Sequence, residues 1–257
     1  MLFTEMDFSL WGMALLVVMA FIAGFIDAIA GGGGMIQTLA LLMVGVPPVT
    51  TLATNKLVSI CGTSMAVVKY ARAEAINWHL VVACLLPCLI AAGIGSKTVM
   101  FFSDTVISWM IVLCVPVALA VLFFKHTEYQ DGQGESPSRG KAAALLTPIA
   151  FYDGLIGPGT GTYMAIAGNK GLHMRLLRAT GLAKPLNLAT NAGSAVVYIS
   201  AGKVLWMLAI PMAGANIAGA WLGSHSAIHY GDSFIKKVML VMLGVMLIVN
   251  LVKLVNW

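Results

Sequence analysis

The sequence predicts an all-α, polytopic membrane protein built from two inverted-topology repeats. Each repeat is a broken (re-entrant) helical hairpin plus three spanning helices. Three observations predict this. The 257 residues are 60% hydrophobic and only 10% charged, against roughly 25% charged in an average soluble domain, and the mean hydropathy is +0.92. Apolar runs recur at about the 20-residue length a bilayer requires. Finally, the second half of the chain repeats the first. A water-soluble fold and a disordered chain are excluded, because a surface of this composition cannot face water. One membrane domain over 1–257 is expected, with repeat 1 at 8–124, a linker at 125–141 and repeat 2 at 142–252.

The first repeat opens with an apolar run at 8–30, followed by 49–68, which Asn55 and Lys56 interrupt, then 76–96 and 105–124. The strongly polar stretch 125–141, rich in Gly, Ser and charge, reads as a solvated linker. Runs at 142–156, 176–200, 204–224 and 234–252 follow. Segments 35–46 and 160–168 are too short to cross, and each follows a Gly-rich break, Gly31-Gly32-Gly33-Gly34 or Gly157-Pro158-Gly159. Broken helices are tolerated at membrane depth only where the exposed backbone lines a cavity or packs on protein. The first run continues past Asp27 without a small-residue cleavage site, so no secretory signal peptide is expected. Trp78 and Trp206 start corresponding spans as interface anchors. Gly93, Gly95 and Ser96, like Gly214, Gly219 and Gly223, have the composition of close helix packing.

The repeat is explicit in register. A shift of 126 pairs Phe25 with Phe151, Asp27 with Asp153, Gly31 with Gly157, Gly33 with Gly159 and Gly45 with Gly171. After a two-residue insertion, a shift of 128 pairs Lys56 with Lys184, Tyr70 with Tyr198, Trp78 with Trp206, Gly95-Ser96 with Gly223-Ser224, and Asp104 with Asp232. If each break turns the chain back, the connecting loops carry 10 Lys and Arg on one side and 3 on the other; if each break lies within a single span, the split is 7 to 6. The positive-inside rule selects the hairpin arrangement. Its odd number of segments inverts the second repeat, places both termini outside and makes the linker cytoplasmic. Inverted halves around a mid-membrane site of discontinuous helices are common among secondary transporters.

The net charge of +5 comes from scattered basic residues, not from a patch with interleaved aromatics, so no nucleic-acid partner is expected. Cys61, Cys84, Cys88 and Cys114 lie in apolar stretches without a CxxC pair and read as packing thiols. His225 and His229 lack the Glu of a zinc-protease motif, and the Gly157–Gly161 stretch lacks the Lys-Ser/Thr ending of a phosphate loop. No metal, no cofactor and no enzymatic constellation are expected.

Asp27, Asp153, Lys56 and Lys184 sit inside spans, where a charge costs at least about 2.5 kcal/mol on insertion scales. They read as functional groups. They also read as partners of one another, with the lysines able to snorkel and the aspartates able to cap the following helix. Lys184, Asn187, Asn191, Ser194 and Tyr198 share one helical face, and their repeat mates are Lys56, Ser59, Thr63, Ala66 and Tyr70. Two such strips facing each other make a positive, donor-rich cavity suited to a small anion. The Gly-rich turns add backbone N–H groups and helix N-termini. The same Asn and Ser residues can instead glue helices together.

The stretch from Ala23 to Gly34, the Ala53-Thr54-Asn55-Lys56 motif, Tyr152-Asp153-Gly154, Gly157-Pro158-Gly159, and Ala183-Lys184-Pro185-Leu186-Asn187 with Asn191 and Gly193 resemble the TauE/SafE sulfite exporter family, also called the 4-toluene sulfonate uptake permease family. The resemblance runs from about Phe8 to Val252. It implies a bacterial inner-membrane permease for sulfite or organosulfonate anions, driven by the proton gradient. The expected substrate site comprises Lys56, Lys184, Asn55, Asn187 and Asn191, with Gly32, Gly33, Gly34, Gly157, Gly159 and Thr160 of the turns. Asp27 and Asp153 are the candidates for proton coupling, since a carboxylate at membrane depth can carry a proton. The expected partners are the anion, protons and membrane lipid, and an oligomer is compatible with the sequence. A carrier of carboxylates or other small metabolites through the same cavity is the alternative, and a membrane-embedded enzyme a more distant one.

Overall fold

A computed structural model describes residues 10–110 and 137–255. Among the described residues every regular element is helical. Helix α1 (Leu10–Ala30) is apolar apart from Asp27 and ends where Gly31 and Gly32 turn to φ 73° and 111°, a left-handed conformation open to glycine at little cost. Helix α2 (Gly33–Met43) follows at once. Helix α3 (Pro48–Arg72) starts on a proline, whose missing N–H has no partner to lose in a first turn, and closes on Lys69 and Arg72, which favour the negative helix end. Helix α4 (Trp78–Val99) is capped by the Asn77 side chain, which accepts from Leu80 N at 3.3 Å. Residues 104–110 are again helical. The rest of the 105–124 run, with Cys114, and the linker up to 136 lie outside the described residues.

Helix α5 (Arg139–Leu155) takes in the last three residues of the expected linker, because Ser138 Oγ accepts from Lys141 N at 3.2 Å and so caps a turn at 139–141. Helix α6 (Thr160–Ile166) is short and widens into a π-helical turn, Ala167–Gly171. Helix α7 (Leu176–Ser200) and helix α8 (Trp206–Val255) complete the chain. The α8 stretch is two helices that meet at a kink at Gly231 (φ 67°, ψ −156°), so the runs at 204–224 and 234–252 lie on either side of that break. On length and apolar character alone, α1 and α4 suffice to cross a membrane. Helices α3 and α7, 25 residues each, carry the polar strip instead of an unbroken apolar surface.

The halves exchange partners. Helix α1 lies along α8, and α5 lies along α4; α3 packs on α8, and α7 on α4; α3 and α7 meet each other. In the register given above, α1 corresponds to α5, α3 to α7, and α4 to the first part of α8, so each of these contacts has a counterpart. The close approaches recur likewise. A Cβ on Gly95 would strike the Phe151 carbonyl oxygen, and a Cβ on Gly223 would strike that of Phe25. Next to Gly95, Ser96 Oγ donates to the Gly154 carbonyl at 3.0 Å. Both apolar cores mix the halves. One joins Ile29, Tyr70 and Leu80 to Leu146, Leu182 and Ile235. The other joins Leu16, Leu41, Leu52 and Ile107 to Tyr198 and Leu208.

Backbone-to-backbone packing at Gly95 leaves no room for a methyl group, whereas Gly214, within α8, has nothing within 4 Å of its would-be Cβ. Gly95→Ala is expected to destabilise the detergent-solubilised protein by about 1–3 kcal/mol, as overpacking does. Gly214→Ala is expected to be neutral, or stabilising by up to about 1 kcal/mol through helix propensity. Thermal unfolding of the two variants beside wild type checks both.

Candidate functional site

The two helix breaks meet. Gly31 lies against the backbone of Gly161 and Thr162 so closely that a Cβ would not fit, and Thr162 Oγ1 donates to the Ala30 carbonyl at 2.9 Å. Helices α2 and α6 start from glycines in the left-handed conformation, Gly32 and Gly159, neither of which has a capping side chain of its own. Beside these starts, the two lysines of α3 and α7 reach across to the aspartates of the opposite half. Lys56 Nζ lies 2.7 Å from Asp153 Oδ1, with side chains only 4% and 2% exposed. Lys184 Nζ donates to the backbone carbonyl of Asp27 and lies 3.8 Å from its carboxylate Oδ2. Lys184 is 1% exposed and Asp27 19%. Removing such charges from water is costly unless they are paired and hydrogen-bonded, which accounts for the sequence alternative in which the four residues partner one another.

A small cavity opens between these elements. Its side-chain lining comprises Asp27, Asp153, Lys56, Asn55, Asn187 and Asn191, together with Ser59 and Thr160; its backbone lining comes from Gly32, Gly34, Gly157, Gly159 and Gly161. Asn191 Nδ2 donates to Asn187 Oδ1 at 3.2 Å, and Ser59 Oγ to Asn55 Oδ1 at 3.5 Å. Most of the residues singled out in the sequence therefore converge on one space. Two stand apart from the lining. Lys184 holds the backbone of Asp27 from behind, and Gly33 packs on the Ala23 carbonyl and the Asp27 Cβ.

Two lining residues, Ser59 and Gly161, were not among the expected site residues. Ser59 was marked only as part of the strip, and Gly161 follows the break by two positions. Farther along the strip Tyr70 ties helices together: its O–H donates to the Ala28 carbonyl at 3.0 Å. His225 and His229 lie on the exposed face of α8, stacked at 6.3 Å with Trp221 beyond them, and outside the cavity lining.

A bundle of apolar helices that brings lysine, aspartate and amide side chains to a cavity between two broken helices defines a membrane transport protein. The chain belongs to the sulfite exporter TauE/SafE family, whose model matches residues 16–250. It is 34% identical over 237 residues to the protein named "probable membrane transporter protein ORF9" of Sinorhizobium sp., covering 91% of this chain and 90% of that one. It is 32% identical over 239 residues to a "probable membrane transporter protein" of Haemophilus influenzae, covering 92% and 93%. It is 28% identical over 236 residues to the "probable membrane transporter protein YfcA" of Escherichia coli K12, covering 91% and 87%. No solved structure matches the chain.

Breaking a buried ion pair from one side leaves an uncompensated charge, whereas replacing both partners with apolar groups does not. Lys56→Met and Asp153→Leu are each expected to cost about 3–5 kcal/mol. The double variant is expected to be more stable than either single variant. Denaturant unfolding of the three in detergent measures the coupling.

Proposed function

We propose that this chain is a secondary permease that moves a small sulfur-containing anion, sulfite or an organosulfonate, across the bacterial inner membrane by proton-coupled alternating access. The observation that carries this reading is the cavity. It sets the Lys56 ammonium beside the carboxamides of Asn55, Asn187 and Asn191, the Thr160 hydroxyl and the glycine backbone of both breaks. An oxyanion needs several donors around one positive charge, and charge-assisted hydrogen bonds are the strong ones. Membership in a family named for sulfite export supports the same class of substrate.

The inverted arrangement is part of the proposal. It is supported by the bias of Lys and Arg between loops, by the paired breaks and by the exchange of packing partners between halves. Alternating access is then a rocking of one set of helices against the other around the fixed cavity. In this scheme Lys56 and the amides bind the anion. Lys184 positions the first break through the Asp27 carbonyl, and a cavity carboxylate exchanges protons with the aqueous phases.

Flux of labelled sulfite and of a small organosulfonate into proteoliposomes under an imposed pH gradient tests the reading. Gradient-dependent uptake is expected. It should fall about 10- to 100-fold in Asn55→Ala and Asn187→Ala, in proportion to the loss of one hydrogen bond to a charged group. Uptake of small carboxylates in place of both sulfur anions would overturn the substrate assignment.

A further inference from the structure

The two cavity carboxylates are held differently, and the difference traces to one position. The shift of 126 sets Gly32 opposite Pro158. Gly32 N donates to Asp27 Oδ1 at 3.0 Å, so the Asp27 carboxylate is anchored to the backbone at the start of α2. Proline has no N–H, and Asp153 cannot receive the corresponding bond. Its Oδ1 rests on Lys56 at 2.7 Å, and its Oδ2 is buried with no hydrogen-bond partner. The charged and titratable groups around Asp153 are Lys56 of α3, Cys88 of α4, Tyr198 of α7 and, across the cavity, Asp27 of α1. Lys56 is the one cationic side chain that lines the cavity among the described residues. An anion that binds the Lys56 ammonium must therefore displace Asp153. The displaced carboxylate would lie buried beside a second negative charge, a state of high energy unless it takes up a proton.

Resting on the anion-carrier reading above, we propose that Asp153, and not Asp27, carries the coupled proton. Pro158 withholds the backbone donor that would otherwise fix the Asp153 carboxylate. Anion and proton then bind as one event. The anion replaces Asp153 Oδ1 at Lys56, and a proton from the aqueous phase to which the cavity is open forms an O–H bond on the freed carboxylate. One negative and one positive charge enter, so the net charge of the site is unchanged. On the opposite side the steps reverse: the proton leaves, Asp153 returns to Lys56, and its return expels the anion.

Calorimetric titration of the purified full-length chain in buffers of different ionisation enthalpy counts the protons taken up per anion bound. Methanesulfonate is the probe, because it stays ionised throughout the working pH range, with sulfite run in parallel. We expect proton uptake in wild type and loss of uptake in Asp153→Asn, whose anion affinity should no longer depend on pH. Pro158→Gly leaves every ionisable group in place and restores the missing N–H. It should show partial loss of uptake, and it carries the test if Asp153→Asn does not fold. Uptake that survives in Asp153→Asn, or uptake unchanged in Pro158→Gly, would overturn the assignment, as would anion binding by wild type without proton uptake. Absence of binding of either anion by folded wild type would instead overturn the anion-carrier reading, and this assignment with it.

Discussion

Everything in this structure answers to the need to neutralise charges buried among apolar helices. Lys56 and Lys184 are almost wholly shielded from solvent, and each is paired with a carboxylate of the other half. Each reaches the opposite half. To bring Asp27 and Asp153 within range, helices α1 and α5 must end beside the lysines, and the chain must turn at once into a short second helix. The left-handed glycines at 31 and 157 make that turn. Glycines at 95 and 223 let the neighbouring helices approach to backbone contact, which keeps the turns in place. Helix breaks, small residues and partner exchange are thus parts of one electrostatic solution.

The charges around the cavity are close to self-neutralised. Asp153 occupies the Lys56 ammonium, and Asn187 accepts from Asn191, so the groups suited to a ligand already serve one another. In the proposed function, a ligand gains only the difference between its own contacts and those it replaces, so an oxyanion with several acceptors is better matched than a monodentate ligand.

Much of this was legible in the sequence, for reasons that can be stated. The apolar runs locate the helices because a lipid environment leaves the backbone few other options. The breaks were visible because glycine is concentrated there, and the site residues because polar groups at membrane depth are too costly to be incidental. A local signal also moves one boundary: Ser138 caps a helix inside what reads as a polar linker. What the pattern did not reveal is which helix lies on which, since periodicity defines a face but not its partner. Nor did it distinguish Lys56, which lines the cavity, from Lys184, which does not. Their spacings are equivalent, and the distinction depends on a backbone carbonyl at Asp27 that carries no mark in the sequence.

The exchange of partners between halves has a consequence for biosynthesis. Synthesis runs from the N-terminus, so Asp27 and Lys56 enter the membrane before residues 153 and 184 exist. During that interval the first half has neither its counterions nor the surfaces of α5, α7 and α8 on which α1, α3 and α4 come to rest. The nascent first half is therefore an open assembly intermediate with polar groups facing lipid or shared with the insertion machinery, and it becomes a finished structure only when the second half arrives.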